Sequence, residues 1–202
     1  HYALEHFFRD IENAVPRSMG SVQKLVDFYT KGLEYYKSHF TSQEFENLTK
    51  HGQNILTEYY NENSQSWLVP RKYEVEYEIK STEYQGVPIS GKLDRINIYD
   101  NYISVTDYKT GRYDSKKLKP SMGENDLGGD YWRQIMFYRL LLDGDKKHNW
   151  VMAKGVMDFI EKDKDDKYRK GEFEIASFET EIVGAQLVQA YQDIKNHIFT
   201  PG

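Results

Sequence analysis

The 202-residue sequence contains no cysteine. That absence excludes disulfide bonds, thiolate zinc sites, iron–sulfur ligation and cysteine nucleophiles together. Long apolar runs are missing too, so the sequence offers no membrane span and no secretory leader, and a cytoplasmic protein fits. Positive charge is in short supply: 27 Lys and Arg against 32 Asp and Glu leave a formal net charge of −5. This argues against a nonspecific basic coat for nucleic acid, because phosphate contacts need clustered Lys and Arg, while leaving room for a local basic groove. No GxxxxGK[ST] loop occurs, so any use of ATP would have to come from another domain. The first residue is His1 rather than Met, and it runs straight into ALEHFF, as in a piece cut from something longer or one lacking its start.

What is present suffices for a core. Hydrophobic residues make up 39% of the chain, with 10 Phe and 17 Tyr, and charged residues at 29% solvate the surface. The length suits one domain. Ala3, Leu4, Phe7, Phe8 and Ile11 fall at helical spacing, predicting a helix over 1–14 that stops at Pro16. Residues 21–38 and 42–61 form two more predicted helices, the latter with a cap region at Ser42. The period then changes to two. Val69, Arg71, Tyr73, Val75, Tyr77 and Ile79 share one parity, and Lys72, Glu74, Glu76 and Glu78 the other. Strands are predicted at 69–79, 87–99 and 102–109, with STEYQG and Asp100-Asn101 as turns. Residues 111–130 form a long loop rich in Gly, Ser, Asp and Lys. A helix over 131–142, strands at 150–160 and 172–179 around an exposed charged turn, and a final helix over 180–198 complete the chain. This order predicts a single α/β domain, 1–202, with a central mixed sheet flanked by helices. Residues 1–66 are its mainly helical portion and 67–202 its α/β core.

The chemistry concentrates in GKLDRINIYDNYISVTDYKTG, residues 91–111. Asp107 and Lys109 share strand parity, roughly 6 to 7 Å apart along the strand. Asp94 lies on the neighbouring strand, where a hairpin brings it across from Asp107. Converging carboxylates repel unless a positive group separates them. A divalent cation with oxygen ligands does this, and Lys109 beside it is placed to orient a water or stabilise charge on phosphorus. The spacing alone is equally that of an exposed hairpin with surface charges. Glu74, Glu76 and Glu78 form either a solvated strand face or the source of a third carboxylate. His6, His39, His51, His148 and His197 show no ligand spacing. Arg112, Lys116, Lys117 and Lys119 follow the lysine directly and could line the path of a nucleic-acid backbone.

A longer pattern runs from Gly91 to Tyr138: GKLDRIN, then DYKTG, then QIMFY. It resembles the nuclease domain of the RecB and AddB type, a group of the PD-(D/E)XK superfamily that includes the Cas4-like nucleases. The family pattern is G-x-x-D-R-I-D, D-x-K-T-G, then Q-x-x-x-Y on a helix, with a metal-ligating His in an N-terminal H-x-x-L-E segment, matched here by His1, Leu4 and Glu5. The resemblance implies a restriction-endonuclease-like core with Asp94, Asp107 and His1 holding Mg²⁺ or Mn²⁺. It further implies the Tyr108 main-chain carbonyl as a ligand, Lys109 as the catalytic lysine, and Gln134 and Tyr138 shaping the site against the DNA backbone. Apart from the pattern, Tyr138 is equally a packing residue and Gln134 a cap for a strand edge. The chain departs from the family at Asn97, where many members carry Asp, and it has no iron–sulfur staple. The implied activity is metal-dependent hydrolysis of DNA phosphodiesters leaving 5′-phosphates, as an exonuclease in end processing, recombination or repair. A helicase in the same full-length chain or as a partner would accompany it. A noncatalytic DNA-end or partner-binding module and a phosphodiesterase acting on RNA are the alternatives.

Overall fold

The computed structural model describes residues 1–123 and 126–198. Residues 124 and 125 of the expected long loop, and those from 199 onward, lie outside the described residues. The elements are α1 (Tyr2–Asn13), α2 (Val22–Glu34), α3 (Ser42–Asn63), β1 (Lys72–Tyr84), β2 (Val87–Ile98), β3 (Ile103–Lys109), α4 (Asp130–Asp143), β4 (Met152–Phe159), β5 (Lys170–Glu174) and α5 (Ser177–Lys195). The strands form one five-stranded sheet in the order β1-β2-β3-β4-β5. All neighbours are antiparallel except β3 and β4, which run parallel and are joined through α4. The sheet is therefore mixed and flanked by helices, as expected. Among the described residues no helix is long and apolar enough to cross a membrane.

Two apolar layers cover the sheet. On one side α1 drives Leu4, Phe7, Phe8 and Ile11 against Trp67, Tyr73, Val75 and Tyr108, with Leu25 of α2 and Leu56 and Tyr59 of α3 closing the cluster. On the other, Trp132, Ile135, Met136 and Leu141 of α4 pack with Ile79, Leu93, Ile96, Val105 and Met157. The α1 stripe follows the predicted helical spacing and is buried throughout. Burying a side chain such as Phe8, which is 0% exposed, stabilises the fold by about 1.5–3 kcal/mol.

Several boundaries differ from the sequence expectation for local reasons. The cap of α3 is Thr41, not Ser42: its hydroxyl accepts from the Glu44 amide, and the Glu44 carboxylate accepts from the Thr41 amide at 2.8 Å, a capping box. STEYQG is not all turn. β1 continues to Tyr84, and only Gln85 and Gly86, at φ 48° and 77°, make the bend that sets Tyr84 opposite Val87. Two successive positive φ values match the twist of a tight hairpin. The strand predicted over 172–179 spans Lys170–Glu174, and the helix begins at Ser177. β5 runs antiparallel to β4 and meets the start of that strand near Ala153, so beyond Ile175 it has no further partner and turns.

The shared face predicted for Tyr73, Val75, Tyr77 and Ile79 does not form. Tyr73 and Val75 pack into the α1 layer, whereas Ile79, with Tyr77 beside it, packs into the α4 layer. The switch occurs at Glu76, whose φ is 52° in mid-strand. A positive φ rotates the chain so that alternation restarts on the other face. β2 switches at the same level: Ile89 and Leu93 face α4, and so does Ile96. The pairing of Val75 with Arg95 and of Tyr77 with Leu93 sets Glu76 across from Asp94. Both irregularities thus fall at one place.

Candidate active site

The β2–β3 ladder runs from Ile98–Ile103 to Arg95–Thr106 and stops there. One further register step would set Asp94 opposite Asp107, at the carboxyl end of β3 beside its parallel neighbour β4. Such ends are where α/β sheets present ligand-binding groups. The Tyr108 amide donates to Asp94 Oδ2 at 2.9 Å in the gap between the strands. The Lys109 carbonyl accepts from the Ile160 amide on the opposite side. Peptide directions alternate along a strand, so the Tyr108 carbonyl points toward Asp94.

His1 enters from the start of α1, with its Nδ1 3.4 Å from Asp94 Oδ2. The hydrogen bond to Asp94 holds the His1 imidazole above its ordinary pKa, against the opposing effect of burial; Asp107 and Glu76 add in the same direction. His1, Glu76 and Asp94 each bring one ligand atom within 4.8 Å of the others, the one such constellation among the described residues. Of the acidic strand face, Glu76 alone reaches the site. Glu74 pairs with Lys72, and Glu78 lies near Lys80. Lys92 caps the Glu76 carboxylate from β2. The sequence named Glu76 among three candidates, and nothing in its residue type signals the positive φ that singles it out.

Asp107 is 3% exposed and turned toward α4. Its Oδ2 lies 2.6 Å from Lys109 Nζ. Its Oδ1 accepts from the Tyr138 hydroxyl at 2.6 Å and from Gln134 Nε2 at 2.8 Å. Gln134 Oε1 in turn accepts from Lys109 Nζ at 2.9 Å. Gln134 and Tyr138 sit one turn apart on α4 and so reach the same carboxylate. Burial pushes the Asp107 carboxyl above the ordinary aspartate range, and the Asp94 charge adds to it. The bonds from Lys109 and Tyr138 work the other way. The Tyr138 phenol is raised well beyond its usual value by burial and then by the Asp107 charge. Tyr131, not singled out in the sequence, carries Lys109 Nζ 4.9 Å and Lys117 Nζ 5.1 Å from its ring centre. Its proximity to Gln134 along α4 was the only sequence signal for it. Arg112, Lys116, Lys117 and Lys119 are exposed along the loop that leaves Lys109.

Asn97, where the family pattern has Asp, donates to Ser104 Oγ at 2.9 Å and Thr106 Oγ1 at 3.0 Å beneath the site. Arg95 beside it is 7% exposed. Its guanidinium lies 4.2 Å from the Phe8 ring centre and 5.3 Å from that of Tyr108. This stack ties α1, and hence His1, to the strands carrying Asp94 and Asp107. The donor set of imidazole nitrogen, carboxylate oxygens and a main-chain carbonyl fits a divalent cation such as Mg²⁺ or Mn²⁺. The carboxylates of Glu76, Asp94 and Asp107 outnumber the ammonium groups beside them, Lys92 and Lys109, which favours one being held there.

No curated protein is significantly similar to the chain. Among solved structures, a "Putative exonuclease" from Eubacterium rectale is 14% identical, with a TM-score of 0.51, covering 96% of this chain and 76% of that one. The protein SSO0001 is 17% identical, with a TM-score of 0.39, covering 98% of this chain and 88% of that one. The sequence profile of the PD-(D/E)XK nuclease superfamily matches residues 1–201. With a mixed sheet, paired carboxylates at its parallel end and Asp-x-Lys on one strand, the chain belongs to the PD-(D/E)XK nuclease superfamily.

Proposed function

We propose that the protein hydrolyses DNA phosphodiester bonds with Mg²⁺ or Mn²⁺, acting as an exonuclease on DNA ends during recombination or repair. One observation carries the reading: His1, Glu76 and Asp94 converge at ligand spacing beside the Asp107–Lys109 pair. A module that only binds DNA has no need for that whole set. His1, Asp94 and the Tyr108 carbonyl would hold the cation as the sequence pattern implies, joined by Glu76. Asp107, expected as a ligand, lies outside that constellation with its oxygens engaged by Lys109, Tyr138 and Gln134, and would face the cation from β3. Bound there, it would polarise a phosphoryl oxygen and acidify a water.

The remaining work belongs to the chain. Asp107 and Gln134 hold the Lys109 ammonium in place at 2.6 and 2.9 Å. An ammonium so fixed stabilises charge on a pentavalent phosphorus without reorganising. Tyr138 and Gln134 hold Asp107 against rotation. Arg112, Lys116 and Lys117 supply phosphate contacts that the net charge of the whole protein does not. The RecB/AddB (Cas4-like) affinity, a helicase in the full-length chain or as partner, and a cytoplasmic setting belong to this proposal. The motif spacing from Gly91 to Tyr138 supports the first two.

The test is cleavage of end-labelled single-stranded DNA, duplex DNA and RNA with Mg²⁺ or Mn²⁺. Wild-type protein is expected to degrade DNA from ends and to stop in EDTA. Lys109→Ala and Asp94→Ala are each expected to slow it by about 10²–10³-fold. Undiminished cutting by Lys109→Ala would remove the mechanism, and cutting confined to RNA would reassign the substrate.

A further inference from the structure

We propose that the groove running from His1 between α1, α2 and α3 holds unpaired bases of a single nucleic-acid strand, so that the site receives single strands or frayed ends. This rests on the nuclease reading, which supplies the phosphate end of the strand. The groove encloses about 340 Å³, and His1 and Thr110 both line it. It therefore borders the candidate metal set through His1 and the residue that follows Lys109.

Tyr2, Tyr29, Tyr36 and His51 furnish its rings. Tyr2 is 41% exposed and Tyr36 53%, while the Tyr29 hydroxyl donates to the Leu48 carbonyl at 2.8 Å and fixes that ring. Gly32 in α2 and Gly52 in α3 line the same groove. A Cβ at Gly32 would stand 2.7 Å from Tyr2 Cδ1, and one at Gly52 would stand 2.1 Å from Tyr29 Cζ. Glycine weakens a helix interior relative to alanine. Here it lets two rings lie directly against helix backbone and keeps the groove open.

The lining selects the occupant. It includes no Lys or Arg, and its one carboxylate is Glu161. Past His1, a phosphate backbone finds no Lys or Arg along the groove and is repelled by Glu161. A flat, uncharged group with hydrogen-bonding edges finds the half-exposed Tyr36 ring and the outer side of Tyr2, a ring already held in a stack with His6. Unpaired nucleobases are such groups, and stacking on aromatic side chains holds single strands with little regard to sequence. Paired bases keep their faces inside the duplex stack. A strand whose phosphate lies at His1 has only to turn the adjacent base outward to enter.

The experiment is fluorescence anisotropy in EDTA, so that binding is read without cleavage. Three probes of equal length are compared: a thymidine single strand, an abasic single strand and a blunt duplex. Wild-type protein is expected to prefer the thymidine strand. Tyr2→Ala and Tyr36→Ala should each weaken its binding by about tenfold and leave the abasic strand unchanged. The tenfold difference should persist at raised salt, because stacking releases no counterions. Phe178→Ala on α5 is the control, at a side chain 63% exposed and outside the groove. Tyr36 lies beyond the last turn of α2, so its variant reports on the groove even where Tyr2→Ala disturbs α1. Variants that bind like wild type, equal losses on thymidine and abasic strands, or a wild-type preference for duplex would each overturn the proposal. A protein that cuts nothing but shows the expected binding pattern refutes the catalytic reading alone. One that cuts duplex ends while both variants bind normally refutes the groove alone.

Discussion

The Tyr138 hydroxyl donates to Asp107 at 2.6 Å and accepts from Gln134 at 2.7 Å, so one atom orients two site residues. In Tyr138→Phe the Asp107 carboxyl loses a bond that favours its charged form. Burial already holds that carboxyl above its ordinary range, and it should rise further. The acid limb of the cleavage-rate profile is then expected to move to higher pH, with a rate loss near neutrality of about tenfold, the worth of one hydrogen bond to a charged group. Rates measured from acid to neutral pH check this. His1 carries a second pH effect. Its imidazole is raised by the bond to Asp94, and a protonated imidazole offers no lone pair. Mn²⁺ affinity measured by calorimetry should fall about tenfold per pH unit below the raised pKa, and His1→Ala should abolish that step. Without metal the sign reverses. The stability contributed by the His1–Asp94 pair is fully present below the ordinary histidine value and is lost as pH rises through the raised one.

Within the elements, the decisive feature is the coincident switch of β1 and β2 at Glu76 and Asp94. A non-glycine residue at φ 52° inside a strand costs about 1–2 kcal/mol. What it achieves is local: a side chain that would otherwise continue a simple alternation is turned toward His1. Glu76→Gly should relieve the strain and hold or raise the thermal midpoint while lowering metal affinity. A parallel loss of both in thermal melts and calorimetry would show that Glu76 serves the fold instead. The strand itself was legible because its polar and apolar residues alternate. The switch was not, because glutamate has no intrinsic preference for positive φ. Likewise β5 ended early because its partner strand begins at Met152, a limit set by pairing rather than by local propensity.

Across the whole molecule, the site joins two layers that the sequence presents separately. His1 caps the start of α1, Glu76 and Asp94 belong to a twisted hairpin, Asp107 and Lys109 to β3, and Gln134 and Tyr138 to α4. Phe8 fastens the first of these, packing its ring on Trp67 and Tyr73 and receiving the Arg95 guanidinium. Phe8→Ala should cost about 3–5 kcal/mol in urea unfolding. Because α1 carries His1, it should also weaken metal binding under conditions where the protein remains folded. Unaltered calorimetric affinity in the folded variant would show that His1 is placed independently of that packing.

Most residues of the candidate site were named from the sequence through its motif resemblance, since Asp94, Asp107, Lys109, Gln134 and Tyr138 sit in short motifs; periodicity placed them on strands and one helix face and left their roles open. Periodicity also sufficed for the helices and the mixed sheet, because burial selects apolar residues at the spacing of each element. Tertiary structure alone decided that Glu76, rather than Glu74 or Glu78, joins His1 and Asp94, that Tyr131 backs Lys109, and that glycines in α2 and α3 open an aromatic groove at the mouth of the site. Those outcomes depend on a backbone rotation and on contacts between residues far apart in the chain, and neither is encoded in the spacing of any single segment.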